Sequence, residues 1–568
     1  AGAAGDRDLA RRTIDRALQV APNDHEIYMA AARMERARGD GGAALRYLKR
    51  AQALYARRSG QGMTLTSADP FGAAQMSDNP FRNQQAAAQA PMANPFALRG
   101  GARLPATSAP IAQDGGYTSP PQSYPAYGAP MGGGAIPSYG APAGTGTGVA
   151  APPPAYGGTG YEGQAYAAPG NAPIGDPVLG RIQSEINELA RESGPRAELR
   201  TGYRERSGEV GLSALKELSG TAEISTGLGN GRVSGKAQAV VLDSGRPTGS
   251  GLARFGRNAT PEAEGIVDEQ PSDLAQAKTQ HAAGVAVSLA YETPLLKVEL
   301  GTTPLGFEDT EVTWQAAVTP RFSPHATGRV WVERRPVTDS VLAYAGTRVP
   351  VDPRDPVSGE RWGQVMRTGG GVSFSYDRDG AGVYGDFSYN RYAGVNVRDN
   401  RSFQVNVGGY LPFVRGPRSS LVGGININYQ NFANNQNYFT FGHGGYFSPQ
   451  SFFSVALPVR YSYTDERMEI RASVAPGYQS YNQDQASIYP TDPGAQAALD
   501  ALKAQNSDVR SYYDSLSQTG FALSADGSFY YRVSPRTRVG GEIGINTFGN
   551  YDEFKSVIGI KQSLGSGL

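Results

Sequence analysis

Cysteine is absent from the 568 residues, which removes disulfides, thiolate-bound metal and thiol catalysis. Charge bias is nearly absent too: 53 Lys and Arg stand against 52 Asp and Glu, a net +1. A nucleic-acid binder relies on a basic surface to neutralise phosphates, and this composition supplies none. Histidine occurs only as His25, His281, His325 and His443, never at a metal-ligand spacing such as two His four apart on a helix. No Gly-x-x-x-x-Gly-Lys motif stands between a strand and a helix to cradle phosphate. The carboxylates are too scattered to single out a hydrolytic pair, and His443 lies near serines without an evident acidic partner. No catalytic residue, metal or cofactor is therefore expected, and the chain does not read as an enzyme. Finally, no apolar run reaches the roughly 18 to 20 residues of a membrane helix. That absence does not bear on barrel strands, which alternate apolar and polar residues.

What is present is unevenly spread. The 74 Gly and 39 Pro divide the chain into regions. Residues 1–60 are helical by pattern. Ala10, Ile14, Ala17 and Pro22 recur 34 residues later as Ala44, Leu48, Ala51 and Ala56. A 34-residue period with small residues at helix contacts resembles the tetratricopeptide repeat, with Gly39-Asp40 as its turn. Tyr28 and Glu35 depart from that motif. The sequence opens at Ala1 without the segments of a signal peptide, and one and a half repeats lead to the expectation of further repeats upstream. Residues 61–177 are rich in Pro, Gly, Ala, Ser and Tyr and read as a disordered linker. Asp69-Pro70-Phe71, Asn79-Pro80-Phe81 and Asn94-Pro95-Phe96 repeat a short theme within it. Residues 178–195 carry Leu179, Ile182, Ile186 and Leu189, the stripe of a short amphipathic helix.

From residue 196 to 568 the period becomes two. Leu421, Gly423, Ile425, Ile427 and Tyr429 share one face, and Asn426, Asn428 and Gln430 the other. Phe453, Val455, Leu457, Val459, Tyr461 and Tyr463 oppose Ser454, Arg460 and Ser462. Val312, Trp314, Ala316 and Val318 oppose Thr313, Gln315 and Thr319. The apolar face often ends in an aromatic, as at Tyr291, Tyr376, Tyr429 and Tyr463, matching the girdles of membrane barrels. About sixteen strands are expected, starting near residues 196, 221, 232, 284, 297, 311, 327, 367, 382, 401, 419, 451, 467, 517, 537 and 553. Every long connection (243–283, 336–366, 433–450 and 482–516) is odd-numbered, and the even-numbered ones are short turns. Short turns at one end and long loops at the other mark a barrel in the outer membrane. The predicted fold is mostly β: a 16-stranded antiparallel outer-membrane β-barrel, preceded by a helical repeat fragment and a disordered linker.

A barrel of this size has an aqueous lumen. Fourteen residues are expected to line it and touch substrate: Trp331, Asp386, Asn390, Tyr392, Gln404, Asn406, Tyr410, Asn426, Asn428, Arg460, Glu469, Arg471, Tyr530 and Glu542. They mix both charge signs with amides and aromatics, which suits a neutral, hydroxyl-rich polymer better than a small ion.

Two segments carry a resemblance. Gly202-Tyr203-Arg204-Glu205-Arg206-Ser207-Gly208-Glu209-Val210-Gly211-Leu212-Ser213 is one. Phe439-Thr440-Phe441-Gly442-His443-Gly444-Gly445-Tyr446-Phe447-Ser448-Pro449-Gln450-Ser451, continuing to Leu457-Pro458-Val459-Arg460-Tyr461, is the more specific. Both resemble the carboxyl-terminal domain of cellulose synthase operon protein C, the outer-membrane subunit of bacterial cellulose secretion. The resemblance covers residues 196–568, and repeats ahead of a barrel match its layout. It implies a periplasmic repeat scaffold, a sixteen-stranded export barrel for β-1,4-glucan, and partnership with an inner-membrane cellulose synthase and a periplasmic cellulase. The long linker departs from the family. The expected function is export of cellulose from periplasm to cell exterior; the alternatives are export of another exopolysaccharide, or a general porin or adhesin. Phe439, Phe441, His443, Tyr446 and Phe447 lie in a long external loop that is Gly- and aromatic-rich rather than charged. They are expected to fold inward or gate the exit, or else to pack on the barrel rim.

Overall fold

The computed structural model describes residues 7–37, 41–58 and 194–564, apart from single turn positions 230, 294, 324, 379, 417, 466 and 535. The linker, its Pro-Phe triplets, the Gly39-Asp40 turn and the helix expected over 178–195 lie outside the described residues.

Three helices come first: α1 (Arg7–Val20), α2 (His25–Ala37) and α3 (Gly41–Arg58). Ala44, Leu48 and Ala51 are buried on α3 and pack with Met29 and Ala32 of α2. Their small side chains let the two helices approach closely. Ile14 and Ala17, their counterparts on α1, are only half-buried.

Sixteen strands follow. They are β1 (Arg196–Arg206), β2 (Leu215–Leu228), β3 (Gly231–Gly245), β4 (Gln280–Glu292), β5 (Leu296–Thr302), β6 (Val312–Val318), β7 (Ala326–Pro336) and β8 (Arg361–Arg378). Then come β9 (Ala381–Val395), β10 (Asn400–Arg415), β11 (Ser419–Phe432), β12 (Ser451–Ala456 with Val459–Thr464), β13 (Met468–Gln483), β14 (Leu516–Ser534), β15 (Thr537–Asn546) and β16 (Glu553–Ser563). Each pairs antiparallel with its neighbours in sequence, and β1 pairs with both β2 and β16. The sheet is thus closed, which removes the unpaired edges an open sheet would expose. β12 is broken at Leu457-Pro458, where proline lacks the N–H a ladder needs; the carbonyl oxygen of Pro458 still accepts from Gly424 N at 2.9 Å.

Alternation sets the two surfaces. On β11, Ile425 is 45% exposed on the outer face while Asn426, Asn428 and Gln430 are buried on the inner one. Val330 and Val332 of β7 face out, and Arg329, Trp331, Glu333 and Arg335 face in. Three strands begin earlier than expected: at Leu215, Gln280 and Arg361. Leu215 faces inward and Leu218 outward, a spacing of three that hides the period of two. Residues Trp362 to Arg367 are buried on both faces, so their alternation vanishes.

The four long connections all lie at one end, as their parity predicts. They contain α4 (Ser250–Ala253) and α5 (Ala259–Val267) after β3, α6 (Val341–Ala345) after β7, and α7 (Pro493–Gln505) after β13. Their apolar residues form one core: Leu252, Phe255, Leu342, Phe439, Phe441, Tyr446, Ile488, Tyr489 and Leu499 among others. Local chemistry fixes the helices. Asp492 caps α7 by accepting from Ala495 N at 2.9 Å, ahead of Pro493 in the first turn. Ser340 caps α6, accepting from Ala343 N at 3.1 Å, and Gly346 ends it at φ 75°.

Candidate functional site in the barrel lumen

Two insertions cross the outer mouth. On one side, Val341, Tyr344 and Ala345 of α6 pack on the inner face of β2 and β3 at Leu215, Val240 and Leu242. On the other, Phe447 packs on the inner face of β12 and β13, at Phe452 and Tyr481. Asp339 joins the two: its Oδ2 accepts from Phe447 N at 3.1 Å, and its Oδ1 pairs with Arg206 at 3.2 Å. Ser340 Oγ donates to the carbonyl of Gly445 at 2.7 Å. The Phe439–Phe447 stretch is therefore folded inward, and all five of its singled-out side chains are buried. His443 is fully covered; its Nε2 donates to the carbonyl of Ser487 at 2.9 Å, with Tyr438 and Tyr513 edge-on. Burial lowers its pKa to about 4, with a smaller contribution from Arg398 in the same direction.

Below this cap the lumen wall changes character around its circumference. On β9, β10 and β11 the inner face is amide-rich, with Asp386 as its acid. Asn406 donates to Asp386 at 3.1 Å, Asn426 to Asn406 at 2.8 Å, and Gln404 to Asn428 at 2.7 Å. Asn426 also donates to the hydroxyl of Tyr384 at 2.8 Å. Other walls are ion-paired. Glu299 binds Arg335 through two contacts of 3.2 and 3.0 Å, with Lys236 at 3.7 Å. Glu333 pairs with Arg367, and Glu469 with Arg471 at 2.6 Å and Arg538 at 2.8 Å. Arg200 stands between Glu198 at 2.9 Å and Glu223 at 3.9 Å.

Four inward aromatics share one device. Trp331 lies opposite Gly371, Tyr384 opposite Gly408, Tyr410 opposite Gly382, and Tyr530 opposite Gly540. A Cβ built on any of these glycines would run into the ring across the ladder. The missing side chain is what lets the ring lie down against the wall. Tyr384 and Tyr410 stack on each other at 6.5 Å and 28°, and Tyr410 donates to Asp377 at 2.7 Å. Tyr530 donates to Glu542 at 2.6 Å.

The fourteen residues expected to line the lumen all stand on inner faces. The structure joins Asp386, Asn406 and Asn426 in one chain of bonds, with Gln404–Asn428 beside it, and separately Glu469–Arg471 and Tyr530–Glu542. Asn390 sits above the amides on β9, and Arg460 stands on the inner face of β12 across from Val422. Tyr392 differs from its expected place in the open channel. It is stacked on Tyr446 at 5.4 Å and 17° and covered by Phe432, as part of the cap. Sequence reasoning missed Tyr384, Glu299, Arg335 and Asp339 as structural partners. The even spacing from Tyr384 through Asp386 and Asn390 to Tyr392 was the available signal for the first.

Residues 213–565 match the family described as Cellulose synthase operon protein C C-terminus. Cellulose synthase operon protein C of Pseudomonas fluorescens (strain SBW25) is 28% identical over 561 residues, which are 97% of this chain and 38% of that protein. The protein of the same name from Xanthomonas axonopodis pv. citri is 31% identical over 351 residues, 60% of this chain and 22% of that protein. The chain thus spans well under half the length of these relatives. Among solved structures, a bacterial polysaccharide outer membrane secretin aligns with 65% of this chain and 98% of its own, at 8% identity and a TM-score of 0.38. With the family match covering nearly the whole barrel, the chain belongs to the Cellulose synthase operon protein C C-terminus family and is an outer-membrane β-barrel protein.

Proposed function

We propose that the chain is a channel conducting cellulose, a β-1,4-linked glucan, from the periplasm to the cell exterior. One observation carries this reading within a family named for a cellulose synthase operon: a broad wall of the lumen is amide and tyrosine with a single carboxylate, Asp386, and on other walls Glu299 and Glu469 are paired with arginines. Such a surface offers hydrogen bonds to hydroxyls without a net field, so a neutral polymer is guided and not held. Conduction requires contacts weak enough to release. The protein's part would be passive, and the driving force would come from polymerisation at the inner membrane.

The cap would then act as the gate. Phe439, Phe441, His443, Tyr446 and Phe447 lie across the exit and must move before a polymer leaves. The helices of residues 1–60 would belong to a periplasmic repeat scaffold, joined by a linker over 61–177 to the barrel from 196. That scaffold would serve an inner-membrane cellulose synthase and a periplasmic cellulase.

The test is conductance of the full chain in a planar bilayer with soluble cello-oligosaccharides added. Block by these, and not by equally long α-linked or acidic glycans, is the expected result. Block by acidic glycans instead would favour a different exopolysaccharide.

A further inference from the structure

On the lipid-facing side of the barrel, β9 and β10 set like charge against like charge. The outward residues of β9 are Val383, Phe387 and Tyr389, and Arg391 comes next above them. On β10, Arg401 stands in the same way above Phe403, Val405 and Val407. The two arginines are register partners, one same-face step beyond the Tyr389–Phe403 pair. Side chains so opposed sit with Cβ atoms about 4.5–5.5 Å apart, where like charges are destabilising. Arg391 pairs with Asp399 at 2.5 Å, but the two side chains are 69% and 57% exposed, so the pair is screened and weak. The guanidinium of Arg401 has no ion-pair partner among the described residues. Arg398, in the turn between the strands, is exposed as well. Three guanidiniums thus stand against one carboxylate. Elsewhere on this rim opposite signs meet: Lys216 lies opposite Asp243, and Arg334 binds Glu311 at 2.6 Å.

Height decides what such a cluster faces. A strand rising about 3.4 Å per residue and tilted by about 35–45° climbs about 2.6 Å per residue. Arg391 is ten residues from Ala381 at the short turn, so it stands about 26 Å up, at the top of an apolar band about 25 Å tall. The arginines therefore emerge just above the hydrocarbon, at the level of the outer headgroups. Their frame is fixed. Arg398 N donates to the Gly442 carbonyl at 2.9 Å, and Asn434 Nδ2 to the Asp399 carbonyl at 3.2 Å. An anion arriving there has little backbone to order.

The outer leaflet of an outer membrane is built of glycolipid whose sugar headgroup carries phosphate. Guanidinium takes phosphate in a bidentate fork, and an anion between Arg391 and Arg401 turns their repulsion into attraction. We infer that Arg391, Arg398 and Arg401 form a binding site for a phosphate of the outer-leaflet glycolipid. The site lies outside the lumen and does not depend on what passes through it.

The test titrates the full chain in detergent micelles with bis-phosphorylated lipid A and, separately, with lipid A stripped of its phosphates. Inorganic phosphate in large excess serves as a competitor that shares the charge and lacks the acyl chains. The variants are Arg391→Gln with Arg401→Gln and, as the comparison on β2, Lys216→Gln. Arg401→Gln alone breaks no ion pair and takes the place of the double variant if heat-modifiable migration shows that the latter has not closed. Hydrogen bonds to charged groups each change binding by about tenfold or more, so the double variant should bind phosphorylated lipid A at least about tenfold more weakly. Arg401→Gln alone should bind it severalfold more weakly, and Lys216→Gln as the native chain does. The stripped lipid should bind every form alike and less tightly than the phosphorylated lipid binds the native chain. Equal binding of phosphorylated lipid by the native chain and the folded variants would overturn the site. So would equal binding of both lipids by the native chain, or the same loss from Lys216→Gln. Displacement of the lipid by inorganic phosphate would overturn the lipid assignment and leave a site for free phosphate.

Discussion

At the scale of single residues, the glycines opposite aromatic rings bear most on the lumen's shape. A methyl at Gly408 would collide with the Tyr384 ring and with the Ile425 carbonyl, whereas one at Gly220 meets nothing within 4 Å. Gly408→Ala is therefore expected to destabilise the barrel by about 1–3 kcal/mol and Gly220→Ala to leave it unchanged, as read from heat-modifiable migration against temperature. Charged pairs give a second prediction. Glu299 is 3% exposed, and its loss strands both Arg335 and Lys236. Removing one partner of a buried pair costs about 3–5 kcal/mol, so Glu299→Ala should fold far less efficiently than Glu542→Ala, whose carboxylate is exposed to the lumen. Sequence alternation placed Trp331, Tyr410 and Tyr530 on the inner face. It did not reveal their glycine seats, because each pair lies on two strands and only the register between them aligns ring and glycine.

At the scale of elements, the cap depends on a few polar ties across an apolar core. Asp339 holds the segment before α6 to Arg206 and to Phe447 N. Asp339→Ala should loosen the cap and raise the resting conductance of the full chain severalfold; an unchanged resting current would mean that the cap does not limit flow. His443 adds a pH dependence. Its folded pKa, about 4, lies below the ordinary value near 6.5, so the neutral form is the one the fold accommodates. Above pH 6.5 both folded and unfolded states are neutral and the cap is at full stability. As pH falls from 6.5 toward 4, only the unfolded form gains a proton, and stability drops by about 2 kcal/mol at pH 5. Hydrogen exchange of residues 439–447 should quicken over that window, and His443→Gln should flatten the dependence. The Gly- and aromatic-rich composition of this loop left two expectations open, an inward or gating loop and one packed on the barrel rim. Tyr392 was misplaced as an open-channel contact because its partner, Tyr446, comes from a different loop.

At the scale of the molecule, the arrangement is a closed barrel with short turns at one end and a folded cap at the other. Strand faces and loop parity were legible because an apolar-out, polar-in strand repeats every two residues along one stretch of chain. The early starts of β2 and β8 were not legible, since there the inner face is apolar where it meets the cap. The unequal walls were also hidden, because residues of β9, β10 and β11 become one surface only after pairing. The helical repeats and the barrel carry separate tasks in this account, scaffold and conduit.

The central claim is that a neutral β-1,4-glucan passes through this barrel, and transport across a membrane tests it most directly. Proteoliposomes would carry the full chain and enclose a cellulase, with soluble cello-oligosaccharides added outside. The account predicts glucose release that depends on the chain and increases in the Asp339→Ala variant. Release no greater than from liposomes without the chain, while small neutral solutes equilibrate through it, would contradict the account.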